Sequence, residues 1–526
     1  MNREPPLATR ATSGWAWAWG QIALAGLVPF GVDLLRNFQL FAPPQLAWSF
    51  AAVLAGTSGA FGLGALGLAA VGRRWPAVRD RWAAPVFAGA AALIFAAFLY
   101  DANLTELRQE FGWPRPVAFG AVLALFFLYW AAAVRLGAKR TSLLLLVLLA
   151  FRAGQAAVAV AATAARGDDL VSAEEIGIYE QVDLARTPNV YFICLESYHG
   201  FGAMRDLYGF DNAEFREFLD ANGFAVAEGT LANYSFTMTS LQSILQMGHH
   251  YAAGTFGNHD SLHARGFISG SGTYYNPALR ILKRNGYAIV YLLPSDYYYR
   301  PGAGLVDYSL LERSWPFAPL KVSLPRFIGR EPETVVPDYP RQVAETLATW
   351  PRERPTFFFI KFGAEHSADG YDYRTDRAAF AARYVQTVAR ENRAIEALCR
   401  QIVEQDPQGL VVLAGDHGAQ SYKCRDRGFA ATKRSAGIPA ERLVRDCHDV
   451  LLAFRWGAGA APAPYPYRSL VNVMRFVFLQ LGGGEALRRT AARDSAYLLD
   501  AGGLLHVAED GQALAEWPLV PRKGWQ

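Results

Sequence analysis

Charge is what this sequence has least of. Asp, Glu, Lys and Arg make up 19% of its 526 residues, against about 25% in an average soluble protein. A single water-soluble globule of this length would carry more. Disorder is excluded from the other side, because it needs low hydrophobicity and high net charge, and 52% of this chain is hydrophobic. Charge of one sign is scarce too. The net charge is +4, the pI is about 8.7, and no block of like charges stands out. Nucleic acid is therefore not an expected partner. Four cysteines are too few for a disulfide scaffold. Internal repeats are absent, and the one biased tract, Gly457–Pro466, reads as a loop.

What the chain does have is apolar residues in concentrated runs, with a mean hydropathy of +0.08. Five segments in the first third read as membrane helices: Trp15–Leu35, Gln45–Val71, Trp82–Tyr100, Pro116–Ala133 and Ser142–Ala165. Most reach the ~20 residues that cross ~30 Å of hydrocarbon. The fourth is shortest and ends in the aromatic run Phe126–Trp130. Asp33 and Arg152 lie in the first and fifth segments, where end snorkelling or pairing within the bundle is the favoured reading over an intramembrane functional site. Arg73, Arg74, Arg79 and Arg81 follow the second segment, and Arg135, Lys139 and Arg140 follow the fourth. The loop after the third carries Asp101, Glu106 and Glu110 against Arg108 and Arg115, and the loop after the first holds only Arg36. The positive-inside rule then puts the N-terminus and the even loops in the cytoplasm, and everything after Ala165 outside. The first segment lacks a small-residue cleavage site and reads as a retained anchor. The expected organisation is a five-helix membrane domain over 1–165, a polar connector over 166–186, and an extracytoplasmic domain over 187–526.

In that last part, short unbroken apolar runs alternate with helical patterns. Strands are expected at Val190–Leu195, Phe224–Ala227, Ala288–Leu293, Thr356–Phe362, Leu410–Ala414 and Val450–Arg455. Helices are expected at Asn212–Asn222, Thr239–Met247, Pro277–Asn285, Arg341–Trp350, Arg377–Glu404 and Ser469–Leu481. Such alternation predicts an α/β domain with a mainly parallel sheet covered on both faces. Ligands of open α/β sheets sit at the carboxyl ends of the strands. There the sequence places Glu196-Ser197, Asp416-His417-Gly418 and Glu365-His366, with Ser235, Thr237 and Thr239 ahead of a helix. Carboxylates and imidazole suit a divalent cation. A hydroxyl activated beside that cation can attack phosphorus, and a helix N-terminus favours phosphate. Each piece has an ordinary reading as well: a surface carboxylate, a turn, an N-cap.

Taken together, five helices followed by this domain resemble the lipoteichoic acid synthases and lipid A phosphoethanolamine transferases of the alkaline phosphatase/sulfatase-like superfamily. Leu195-Glu196-Ser197 matches the strand end with a single Glu ligand, Thr237-Met238-Thr239-Ser240 matches the nucleophilic Thr with Ser three residues on, and Asp416-His417-Gly418 matches the late ligand pair. The resemblance implies one divalent ion, Mn²⁺ or Zn²⁺, held by Glu196, Thr237, Asp416 and His417. It implies Thr237 as nucleophile toward a phospholipid donor, with a phosphoglycerol or phosphoethanolamine headgroup passed through phospho-Thr to a glycan or glycolipid acceptor. It also implies an extracytoplasmic enzyme of a bacterial-type inner membrane. His366 is the expected proton-transfer and substrate residue, with His448 and Asn276 beside substrate. Tyr275-Asn276-Pro277 lacks the Arg that lipoteichoic acid synthases place after Asn, and the cysteine count departs from the bridged transferases. The headgroup is thus left open. A membrane-tethered sulfatase or phosphodiesterase, and an inactive envelope-assembly protein, are the alternatives.

Further expectations attach to single groups. His249, His250, His259 and His263 form a polar stretch that either touches substrate or a second metal, or is a solvated loop. Tyr297–Tyr299 and Trp315 are candidates for interfacial contact or core packing. Cys424 and Cys447 flank a basic loop, where a bridge would contribute roughly 3 kcal/mol. Cys194 and Cys399 read as buried free thiols.

Overall fold

A computed structural model of the chain describes residues 15–28, 30, 43–102, 115–166, 171–249, 268, 275–295, 304–311, 336–362, 377–422, 437–457, 463–500 and 503–520. The chain separates into two compact units that divide between Arg166 and Gly167.

The first unit is helical in every described stretch. Residues 15–28 are followed by the helices Pro43–Arg74, Pro76–Ala102 and Arg115–Arg166. The last is two helices end to end, broken at Gly137, whose φ of 76° and ψ of 162° lie outside helical space. This break falls between Arg135 and Lys139, where a basic loop was expected. Two stretches, Ala47–Arg74 and Phe119–Leu148, are long and apolar enough to cross a membrane. Among the described residues, nearly all exposed large apolar side chains lie between Trp15 and Phe151; the two elsewhere are Tyr308 and Leu519. A surface so apolar is unsuited to water. Small residues let the helices approach: a Cβ on Gly26 would come within 2.9 Å of Thr57 Cγ2.

The second unit is α/β. Its strands are β1 (Val190–Leu195), β2 (Ala225–Val226), β3 (Thr230–Leu231), β4 (Ala288–Leu292), β5 (Tyr308–Ser309), β6 (Thr356–Phe362), β7 (Leu410–Gly415), β8 (Asp449–Val450) and β9 (Leu452–Arg455). Seven of them form one sheet in the order β2-β9-β7-β1-β6-β4-β5. β7, β1, β6, β4 and β5 run parallel, while β9 is antiparallel to both β7 and β2. The sheet is therefore mixed but mainly parallel, as alternation predicted, with β9 running against the other strands. The reversal arises because the helix Ala440–His448 ends at the carboxyl edge, with Cys447 C=O accepting from Gly418 N–H, so the chain enters β9 from that end. The expected strand Val450–Arg455 is divided between two sheets: β8 pairs with β3, and β9 pairs with β7. A three-stranded sheet, β10 (Ser495–Asp500), β11 (Gly503–Glu509) and β12 (Gln512–Ala513), follows.

Alternation along the central strands feeds two cores. Val190, Phe192 and Cys194 pack on one face with Met238, Leu241, Ile244 and Leu245 of the helix Thr237–Gln246. Tyr191, Ile193 and Leu195 pack on the other with Phe380, Tyr384, Val388 and Ile395 of the helix Arg377–Gln405. Each strand is buried on both sides, which is why its sequence reads as an unbroken apolar run. Within the expected connector, Ser172 and Glu175 form a capping box at the helix Ala173–Tyr179. Tyr179 and Val182 are buried in the first of those cores. Cys447 is disulfide-bonded, Cys194 and Cys399 are free and buried, and Cys424 lies outside the described residues.

Candidate metal and phosphoryl-transfer site

Strand register brings the site together. In the parallel ladder Cys194 lies opposite Lys361 on one side and Ala414 on the other, so these three point to the same face. Residues two further on share that face. Glu196 follows Cys194 and Asp416 follows Ala414, and both face the helix Thr237–Gln246. Two backbone bonds extend the ladder past the strand ends: Glu196 N–H to Phe362 C=O (2.8 Å) and Asp416 N–H to Leu195 C=O (3.0 Å).

The polar groups meet in a buried cluster. Thr237 Oγ1 is 3.0 Å from Glu196 Oε1 and 3.1 Å from His417 Nε2. His417 Nε2 lies 3.5 Å from Glu196 Oε1 and 3.8 Å from Asp416 Oδ2. The ligand atoms of Glu196, Asp416 and His417 all fall within 4.8 Å of one another. Asp416 Oδ1 accepts from the N–H groups of Ser197 (2.8 Å) and His417 (2.9 Å), which leaves Oδ2 to face the cluster. His417 Nδ1 is 2.8 Å from the Gly418 carbonyl. A carbonyl only accepts, so this contact, shorter than the 3.1 Å from Nδ1 to Gln420 Nε2, puts the proton on Nδ1 and a lone pair on Nε2. Two carboxylate oxygens, an imidazole lone pair and a hydroxyl thus converge, a donor set that fits Mn²⁺ or Zn²⁺.

The sequence expectation did not include Lys361. Its ammonium is 2.6 Å from Glu196 Oε2 and 2.9 Å from Asp416 Oδ2, with 2% of the side chain exposed. The signal was present: one cation in the otherwise apolar Thr-Phe-Phe-Phe-Ile-Lys-Phe run, and Lys is almost never fully buried unless paired.

The surrounding chain is built to hold the Asp416 loop. A Cβ on Gly415 would overlap the Tyr198 carbonyl, and one on Gly418 would overlap the Asp446 carbonyl and stand 2.6 Å from His199 Cε1. His199 is fully buried. Its Nδ1 is 2.7 Å from Asp449 C=O, and its Nε2 accepts from Ala419 N–H (3.0 Å). Burial pushes this imidazole down to about 4. Asp446, also buried, accepts from Tyr208 OH, Ser421 OH and Tyr422 N–H. Ser197 takes φ 54°, a left-handed conformation rare outside glycine; Tyr384 OH donates to its carbonyl.

Thr237 is the first residue of its helix, two residues earlier than expected. The N-cap is Phe236, and no side chain caps the helix. Thr239 turns its hydroxyl back to the Phe236 carbonyl (2.9 Å), away from the cluster. At the other end of this helix, fully buried Arg475 donates to Met247 C=O (2.6 Å) and fixes its C-terminus.

The remaining expected residues fall elsewhere. His448 Nδ1 is 2.9 Å from Ala232 C=O, so its lone pair is on Nε2, which is buried with no hydrogen-bond partner. Burial pushes His448 down to about 4, and His417 lowers it further. Asn276 is the N-cap of the helix Pro277–Arg284, accepting from Leu279 N–H (3.0 Å), so its amide oxygen has a structural duty. His249 Nε2 is 2.8 Å from Arg493 C=O, and its ring lies edge-on to Tyr497. His366, His250, His259, His263, Tyr297–Tyr299 and Trp315 lie outside the described residues.

The fold and cluster define an α/β domain with a metal-type site at the carboxyl edge of its sheet. No protein-family model matches the chain, and a separate comparison with curated proteins finds no match. Solved structures do show a likeness. The integral membrane lipooligosaccharide phosphoethanolamine transferase A from Neisseria meningitidis aligns over 90% of this chain and 97% of its own, at 11% identity and a TM-score of 0.37. The C-terminal periplasmic domain of EcEptC from Escherichia coli aligns over 61% of this chain and 93% of its own, at 13% identity and 0.37. The phosphonate monoester hydrolase SpPMH from Silicibacter pomeroyi covers 63% and 88%, at 12% and 0.38. Each is a structural likeness at low sequence identity, and what this chain does is argued from its own site.

Proposed function

We propose that the protein is a membrane-anchored phosphoryl-group transferase that moves a phospholipid headgroup, through Thr237, to an acceptor hydroxyl of the cell envelope. The observation that carries this reading is the position of Thr237 Oγ1, 3.0 Å from Glu196 and 3.1 Å from His417 at the start of a helix. A buried threonine at a helix start has no structural need for two such partners.

Glu196, Asp416 and His417, with Thr237, would hold the divalent ion. Bound there, Mn²⁺ or Zn²⁺ supplies charge stabilisation at the threonine oxygen and at the phosphoryl oxygens. The chain's own groups do the rest. His417 Nε2 and Glu196 Oε1 fix the position of the Thr237 hydroxyl, and Glu196 Oε1, which accepts its hydrogen bond at 3.0 Å, takes its proton. Thr237 Oγ1 attacks the phosphodiester phosphorus; the new O–P bond forms as the bond to diacylglycerol breaks. The first amides of the helix, without a side-chain cap, face the negative charge that accumulates on the phosphoryl oxygens. His366, four residues past β6, is assigned to protonate the leaving alkoxide and then to deprotonate the acceptor. His448, with its Nε2 lone pair, is assigned to accept a substrate hydrogen bond. Attack by the acceptor hydroxyl frees Thr237.

Five crossings with the N-terminus in the cytoplasm would put the second unit on the outer side of the membrane, the side of the outer-leaflet headgroups. The two long apolar stretches and the apolar exterior of the first unit support anchoring.

The test is the fate of the headgroup. Purified protein in mixed micelles of phosphatidylglycerol or phosphatidylethanolamine, with Mn²⁺ or Zn²⁺, is expected to release diacylglycerol and to label an added glycan or glycolipid. Headgroup released only to water, at a rate indifferent to acceptor, would make the protein a phosphodiesterase. No turnover of either lipid would overturn the choice of donor.

A further inference from the structure

We propose that Lys361 is a built-in counter-cation of the site, which competes with the divalent ion for Asp416 Oδ2 and sets how tightly that ion is held. The inference rests on the reading of Glu196, Asp416 and His417 as metal ligands. Asp416 has two oxygens. Oδ1 is spent on the backbone N–H groups of Ser197 and His417. Oδ2 is the one oxygen turned to the cluster, and Lys361 Nζ lies 2.9 Å from it. The same ammonium holds Glu196 Oε2 at 2.6 Å, while Glu196 Oε1 faces Thr237 and His417. So Lys361 bridges the two carboxylates from the side opposite the threonine.

This placement has two consequences. Two carboxylates buried against each other repel, and a paired cation keeps both charged in place before any metal arrives. A divalent ion using Asp416 Oδ2 must then share that oxygen with a buried like charge, at separations where water screens little. Glu196 Oε2 and Asp416 Oδ2 both lie within ion-pair distance of Lys361, and register puts Cys194 and, beyond it, Ala414 alongside on this face. Register also makes the residue fixed in place, because a shift of one position along β6 would turn it to the opposite core. Lys361 is therefore a positioning residue that trades metal affinity for a preformed carboxylate pair.

The test is divalent-ion binding by the full-length protein in detergent, measured by equilibrium dialysis against Mn²⁺ with metal analysis, alongside thermal unfolding in chelator. Lys361→Met and Lys361→Gln remove the charge; Lys361→Arg keeps it. The two neutral variants are expected to bind Mn²⁺ at least tenfold more tightly than wild type, and to show a larger rise in unfolding temperature on adding metal. Lys361→Arg is expected to bind no more tightly than wild type. Should Lys361→Met fail to fold, the amide of Lys361→Gln can still donate to a carboxylate and serves alone. One ion bound by wild type, with the neutral variants binding it equally or more weakly, overturns the role of Lys361 and leaves the metal site standing. No ion bound by wild type or by any variant overturns both.

Discussion

His199→Phe tests whether the Asp416 loop is held as described. Phenylalanine keeps an aromatic ring against Tyr208 and Tyr384, which lie 5.4 and 5.9 Å from the imidazole. It removes both polar contacts, leaving Ala419 N–H and Asp449 C=O buried without their partner. Each such group costs about 1–3 kcal/mol, so the expected loss is roughly 2–6 kcal/mol. Unfolding about 340 residues at ~2.1 cal/mol/K each changes the entropy by ~0.7 kcal/mol/K, so Tm falls by roughly 3–8 °C. The penalty depends on pH in a defined direction. Neutral His199 is held down to about 4 in the fold, against about 6.5 in an unfolded chain. Between those values the unfolded state binds the extra proton, so wild type loses stability as pH falls from 6.5 to 4. The variant lacks that loss, and the gap between the two should narrow by roughly 3 kcal/mol across this window. Scanning calorimetry or dye-monitored melting at pH 7.5 and 4.5 measures both. A variant that melts with wild type at pH 7.5, or a gap that widens toward acid, would refute the assignment.

Other expectations follow from the same geometry. Gly418→Ala places a methyl against the Asp446 carbonyl and the His199 ring, so the His417 loop must move; metal affinity should fall at least tenfold by dialysis with little change in helical circular dichroism. Glu391 is half-buried near Lys361 and Glu196, and the partial burial pushes its carboxyl up to about 7. For an acid this means stability is lost as pH rises from about 4.5 through 7, so Glu391→Gln should melt higher than wild type at pH 8, by up to roughly 3 kcal/mol, and show no such gain at pH 5.

How far the sequence foretold this structure differs from element to element. β1, β6 and Leu410–Ala414 of β7 were legible to the residue, because burial on both faces writes an unbroken apolar run. The carboxyl-edge cluster of Glu196, Asp416 and His417 followed from those strand ends. β10 to β12 were missed: Ser495–Asp500 and Gly503–Glu509 mix Ser, His and Glu with apolar residues, and their partners are set by tertiary contacts such as Tyr497 N–H to Asn233 C=O. The early start of the Thr237 helix was missed because propensity favours Ser or Thr as the cap, whereas the cap is Phe236. Local preference failing at Thr237 is what the proposed functional site would produce. Lys361 escaped because its strand was read for hydrophobicity alone. Five apolar segments were read as membrane helices, whereas length and composition single out two candidate spans among the described residues.

The covalent state of Thr237 tests the central claim most directly. Intact-mass analysis of wild type and Thr237→Ala, after incubation with Mn²⁺ or Zn²⁺ and either phospholipid in the absence of acceptor, reads it in one step. The account predicts a headgroup-phosphate adduct on wild type, mapped to Thr237 by peptide fragmentation and absent from Thr237→Ala. Diacylglycerol released as fast by Thr237→Ala as by wild type, with no adduct on either, would contradict it.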